Sequence, residues 1–145
     1  MRKFYYILLA FTTLCIMASC ELEPSSDGSL YGFWHLESID SIEGGTADLR
    51  DQLIFWGVQS NLIECSDRSN AHSPVIFRFE RQDNSLHMGQ AYYNLREQGD
   101  PEVTDVTRLH TYGIGALQPV FEIEKLKTDR LVLTDGVVRL MFNKF

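Results

Sequence analysis

From residue 30 onward apolar and polar side chains alternate with a period of two, the spacing of strands that turn one face into a core. In residues 30–39, Gly32, Trp34 and Leu36 share a face while His35 and Glu37 take the other. Gly32 lets another backbone come close, and Trp34 carries enough apolar area to plug one end of a core. Residues 40–46 form a turn-rich connection in which Gly44-Gly45 ends regular structure. Residues 52–65 are rich in aromatic and branched side chains and read as strand, either one long strand or two short ones split near Ser60-Asn61. The part 53–58 is apolar on both faces, which calls for a second layer, a packed helix or another molecule.

The polar residues 67–73 read as a loop tip, and 74–81 with 85–93 as a hairpin turned by Gln82-Asp83-Asn84. Val75, Phe77 and Phe79 alternate with Ile76, Arg78 and Glu80, and Leu86, Met88, Gln90 and Tyr92 continue one face on the return, so Phe77, Phe79, Tyr92 and Phe121 are expected to point inward. The alternation breaks over 94–118. There the region 100–112 predicts one short α-helix, with Asp100 as N-cap, Pro101 in the first turn, Val103, Val106 and Leu109 recurring every three residues, and Gly113 as a left-handed stop. This helix would cover either the doubly apolar strand or the mouth of the core. Strands at 120–126, 130–134 and 137–145 complete a meander, the last two joined by Asp135-Gly136. The expected fold class is all-β, an antiparallel up-and-down barrel of 7–8 strands with one short helix.

The start of the chain follows other rules. Arg2 and Lys3 precede an uncharged run from Phe4 to Met17, too short to span a bilayer and suited to a secretory signal. Met17-Ala18-Ser19-Cys20 resembles the lipobox of bacterial lipoproteins. That resemblance implies cleavage after residue 19, acylation of Cys20 and a membrane anchor, since two or more acyl chains hold stably where one does not. Residues 20–29, with Glu21, Glu23, Pro24, Ser25, Ser26 and Asp27, read as a flexible acidic leash, and 30–145 as the folded domain. The expected place is the cell envelope, lipid-anchored to the outer membrane on its periplasmic face or at the cell surface.

The chain of 145 residues has 13 Lys and Arg against 20 Asp and Glu. Losing Arg2 and Lys3 with the signal would leave 11 basic side chains against 20 acidic ones, a sign that disfavours nucleic acid as a partner. Cys15 would leave with the signal and Cys20 would be modified, so Cys65 stands alone and reads as a small buried hydrophobe.

Gly32-Phe33-Trp34 resembles the Gly-x-Trp signature that opens the first strand of lipocalins, and Leu140–Phe145 resembles their last strand. The resemblance extends to the lipocalin-like lipoproteins of Gram-negative envelopes. It implies a barrel whose end is sealed by Gly32, Trp34 and Lys144, with the basic residue lying across the indole. Parity agrees, because Lys144 shares a face with Leu140 and Phe142 and so points inward near Trp34. Arg139 has the opposite parity and lies at the other end of its strand. The chain is shorter than true lipocalins and lacks their disulfide pair, which argues against a roomy interior.

No phosphate loop, Cys-x-x-Cys, His-Glu-x-x-His or Gly-x-Ser-x-Gly occurs, and no catalytic, metal or cofactor site is expected. His35, His72, His87 and His110 are scattered, and Glu122 and Glu124 read as a solvated face. Tyr92, Tyr93 and Tyr112 could line a mouth but suit a core. Two functions stay open, neither enzymatic. One is a barrel holding a small apolar or amphipathic ligand. The other is a tethered interaction or structural module with a filled barrel, working through its outer surface.

Overall fold

A computed structural model describes residues 29–145. The readings of the signal segment, of Cys20 and of the leash up to residue 28 concern residues outside that range. Nine strands form, β1 (Gly32–Ser41), β2 (Thr46–Asp48), β3 (Ile54–Gln59), β4 (Leu62–Asp67), β5 (Val75–Gln82), β6 (Ser85–Tyr93), β7 (Val120–Leu126), β8 (Arg130–Thr134) and β9 (Val138–Lys144). Each pairs antiparallel with its neighbours in the order β2-β1-β3-β4-β5-β6-β7-β8-β9, and β9 returns to β1. The result is a closed eight-stranded barrel with β2 as a short flap. β2 lies along Ser38–Asp40 of β1, on the edge that β3 occupies at Gly32–His35.

The alternation seen in the sequence explains most of the core. Trp34 and Leu36, Ile54 and Trp56, Ile63 and Cys65, Val75 and Phe77, Leu131 and Leu133, and Leu140 and Phe142 all turn inward and are buried. Bulges re-aim the rest. In β1 the register shifts between Leu36 and Ser38, which returns Ile39 to the core side. In β6 the pairs Phe77–Ala91 and Phe79–Met88 leave one extra residue on β6, at Gly89-Gln90. Parity therefore flips, Ala91 turns inward and Tyr92 is 42% exposed. The expectation that Tyr92 points inward is corrected by this bulge, whereas Phe77, Phe79 and Phe121 are in the core.

The stretch 52–65 is two strands turned at Ser60-Asn61, with Ser60 at φ 53° in the left-handed region. Within 40–46 the chain does more than turn, because β1 continues to Ser41 and β2 starts at Thr46. The crossover from β6 to β7 carries two short 3-10 helices, η1 (Arg96–Gln98) and η2 (Val106–Tyr112). The N-cap of η2 is Asp105, whose carboxylate accepts from the Thr107 amide, and Gly113 closes it at φ 80°. Asp100 is no N-cap of this helix, and it sits at φ 48°. The apolar spacing of three suits a 3-10 helix, which has three residues per turn. Val103 is buried from an extended stretch, where its amide donates to Ala91 O.

Candidate functional site

One end of the barrel closes on Trp34. Its Nε1 donates to Leu30 O at 2.8 Å, and the indole is fully buried. Lys144 is its direct partner across the β1–β9 seam, and the ammonium stands 4.8 Å from the ring centre. The same Nζ donates to Tyr31 O at 2.8 Å and Ser29 O at 3.3 Å. The stem of Lys144 crosses Gly32, where an added Cβ would stand 2.8 Å from Lys144 Cε, and Gly32 has φ +125°. The backbone conformation thus calls for glycine, and an added Cβ would also have to push the end of the Lys144 side chain aside. Arg139, at the other end of β9, pairs with Glu124 at 2.7 Å.

The opposite end is covered by η2. Leu109, Tyr112 and Ile114 are buried, and Trp56 Nε1 donates to Tyr112 O at 3.2 Å. The Tyr112 hydroxyl donates to Ser73 O at 2.9 Å, and burial pushes its pKa well above the ordinary tyrosine value. Gly113 lies so close to the wall that a Cβ would come within 2.5 Å of Leu140 Cδ2. Between the two ends Trp56 packs edge-on against Phe121 and Phe142, with ring centres 5.8 and 5.1 Å away. Large side chains occupy the space that a ligand would need.

The outer wall of β3 is where the sequence called for a second layer, and the chain supplies most of that cover itself. Phe55 points outward yet is only 3% exposed. His35 stacks on it at 5.0 Å, Phe145 meets it edge-on at 5.3 Å, and the Arg68 guanidinium lies 4.7 Å above its ring. Arg68 also stands 5.3 Å from the ring of Phe33 and 5.7 Å from that of Phe145. Arg68 has no ion-pair partner among the described residues. Beside this cluster, where Gly57 lacks a side chain, Phe33, Leu62, Glu64, Ile76 and Arg96 border an open groove of about 650 Å³. Glu64 accepts a hydrogen bond from Asn94 Nδ2 at its rim.

The histidines do not converge. His35 Nε2 lies 2.7 Å from Gln52 O, His87 and His110 are exposed, and His72 Nδ1 lies 2.8 Å from Asp67 Oδ2. No group of three His, Cys, Asp or Glu side chains among the described residues could share a metal ion. Glu122 is exposed, as is Glu124. The Cys65 thiol is fully buried, and burial raises its pKa well above the usual value, so it is no ready nucleophile. Sequence reasoning missed Arg68 and Phe145 as the cover of Phe55. They come from a loop and from the last residue in the sequence, and no local spacing links them to β3.

A closed antiparallel eight-stranded barrel, opened by Gly-x-Trp and sealed by a basic residue across that indole, is of the lipocalin class. A family model described as a lipocalin-like domain matches residues 14–145, and the chain belongs to that family. A lipocalin-like protein from Bacteroides uniformis shares its fold, with a TM-score of 0.59 at 17% identity over 81% of this chain and 100% of the other. An uncharacterized protein from Bacteroides eggerthii does likewise, with a TM-score of 0.60 at 16% identity over 81% of this chain and 100% of its own. No curated protein matches the chain.

Proposed function

We propose that this is a lipid-anchored protein of the bacterial outer membrane, held through Cys20, whose lipocalin-like barrel serves as a non-enzymatic interaction module working through its outer wall. One observation carries this reading: the barrel axis is filled, while an aromatic cluster around an arginine with no ion-pair partner among the described residues is left on the outside. Trp34, Trp56, Phe77, Tyr112, Phe121 and Phe142 are all under 2% exposed, so a ligand in the barrel would have to displace packed rings. On the wall, Phe33 is 45% and Phe145 78% exposed beside Arg68, and Tyr31 and Leu53 add to the exposed apolar surface. Aromatic rings around an arginine are the composition of protein interaction hot spots, and exposed apolar patches mark such sites.

The test is native mass spectrometry of the delipidated full chain purified from its own envelope. A co-purifying protein whose complex is lost in an Arg68→Ala variant is the expected result. A retained small molecule with no protein partner would refute the reading.

A further inference from the structure

Over the end of the barrel capped by η2 lies a second cavity of about 550 Å³, distinct from the outer-wall groove. Its border includes His72, Tyr93, Gln98, Pro101, Arg108 and Thr111, drawn from the β4–β5 loop, the end of β6 and the crossover. That volume lies within the range of small-molecule sites. None of the residues lining it is acidic, in a chain of formal net charge −7.

The two basic side chains, His72 and Arg108, are prepared differently. Asp67 is buried, its side chain only 4% exposed, and its carboxylate accepts from the Ser69 amide and hydroxyl and from His72 Nδ1. A carboxylate only accepts, so His72 Nδ1 carries a proton, and Nε2 faces away from Asp67. Arg108 is exposed, and among the described residues its guanidinium is ion-paired only with Asp105, at 3.8 Å, which leaves most of its N–H groups available. An exposed pair that loose is held weakly against a better-placed ligand. The cavity thus offers a fork that fits a carboxylate, a ring nitrogen that fits a hydroxyl, and the apolar surfaces of Tyr93, Leu95 and Pro101 between polar side chains.

We infer that this cavity binds a small hydroxy acid with an apolar body, Arg108 taking the carboxylate and His72 Nε2 hydrogen-bonding the hydroxyl. The site is separate from the wall assigned to protein contact and stands or falls independently of it.

The probes are mandelate and phenylacetate, which differ only by the hydroxyl, titrated against the detergent-solubilised full chain by calorimetry. Mandelate is expected to bind saturably and about fivefold more tightly than phenylacetate, the worth of one neutral hydrogen bond. Arg108→Gln, at an exposed position, should weaken both by roughly tenfold, the loss of a charge-assisted contact. His72→Phe should abolish the difference between the two probes. Should that variant fail to fold, the ratio measured on the unaltered chain decides the role of the hydroxyl. No saturable binding, equal affinities for the two probes, or binding indifferent to Arg108→Gln would overturn the inference.

Discussion

Trp34 and Lys144 face each other across the strand pair that closes the barrel, with the ammonium 4.8 Å from the indole centre. The contact joins the first strand to the last, so it stabilises the closed ring rather than either strand alone. Lys144→Met keeps the stem and removes the cation. It should cost about 0.5–2 kcal/mol, the range for a partly desolvated cation–π contact, in urea unfolding followed by tryptophan fluorescence. Trp34→Ala empties the plug and should cost about 3–5 kcal/mol.

Gly32 and Lys144 are coupled, because an added Cβ at Gly32 meets Lys144 Cε at 2.8 Å. Gly32→Ala should destabilise by about 1–3 kcal/mol through its backbone conformation and this overlap together. In a Lys144→Ala background the overlap vanishes and the backbone part remains, so the loss should be smaller but not zero. A double-mutant cycle in urea measures that difference.

The cap at the other end has its own lock. Gly113→Ala would drive a methyl to within 2.5 Å of Leu140 Cδ2 at a position with φ +80°. The expected outcome is faster amide hydrogen exchange over Val106–Tyr112, with the β1–β9 seam still protected.

Asp67 makes stability depend on pH. Burial alone would raise its pKa, but hydrogen bonds from Ser69 and His72 outweigh that and hold it below the ordinary value of 3.8. A carboxylate depressed in the folded state contributes stability above its unfolded pKa and loses it as pH falls through the folded one. Urea unfolding from neutral pH to well below 3.8 should therefore show a decline that is shallower in Asp67→Asn. Asp48, held at about 2 chiefly by its hydrogen bonds from Arg50, acts in the same window. That pair is fully exposed and contributes little to stability, so the difference between the parent chain and Asp67→Asn reports Asp67.

Much of the barrel was legible because period-two alternation is imposed by the pleat itself. Trp34, Phe77 and Phe142 could be assigned to the interior from parity alone, and Lys144 opposite Trp34 follows from an even strand count. What parity could not reveal is where it is interrupted. The bulge at Gly89-Gln90 turns Tyr92 outward, and the one between Leu36 and Ser38 brings Ile39 back, yet neither has a polar or apolar signature of its own. β2 was invisible for another reason: Thr46–Asp48 is polar and wholly exposed, so only its pairing to β1 makes it a strand. The N-cap of η2 was expected at Asp100, whereas it is Asp105 that accepts the Thr107 amide. The outer-wall cluster needed the tertiary fold, since Phe33, Phe55 and Arg68 meet through the β1–β3–β4 pairing and Phe145 joins them only after β9 has returned to β1.

The central claim, that the domain works through its outer wall, is tested most directly by site-specific photo-crosslinking in the native envelope. A benzophenone amino acid is placed at Phe33, in the aromatic cluster, and in a separate variant at Val137, in the exposed β8–β9 turn. The account predicts a discrete protein adduct from position 33 that disappears with Arg68→Ala, and none from position 137. No adduct from 33, or the same adduct from both positions, would contradict it.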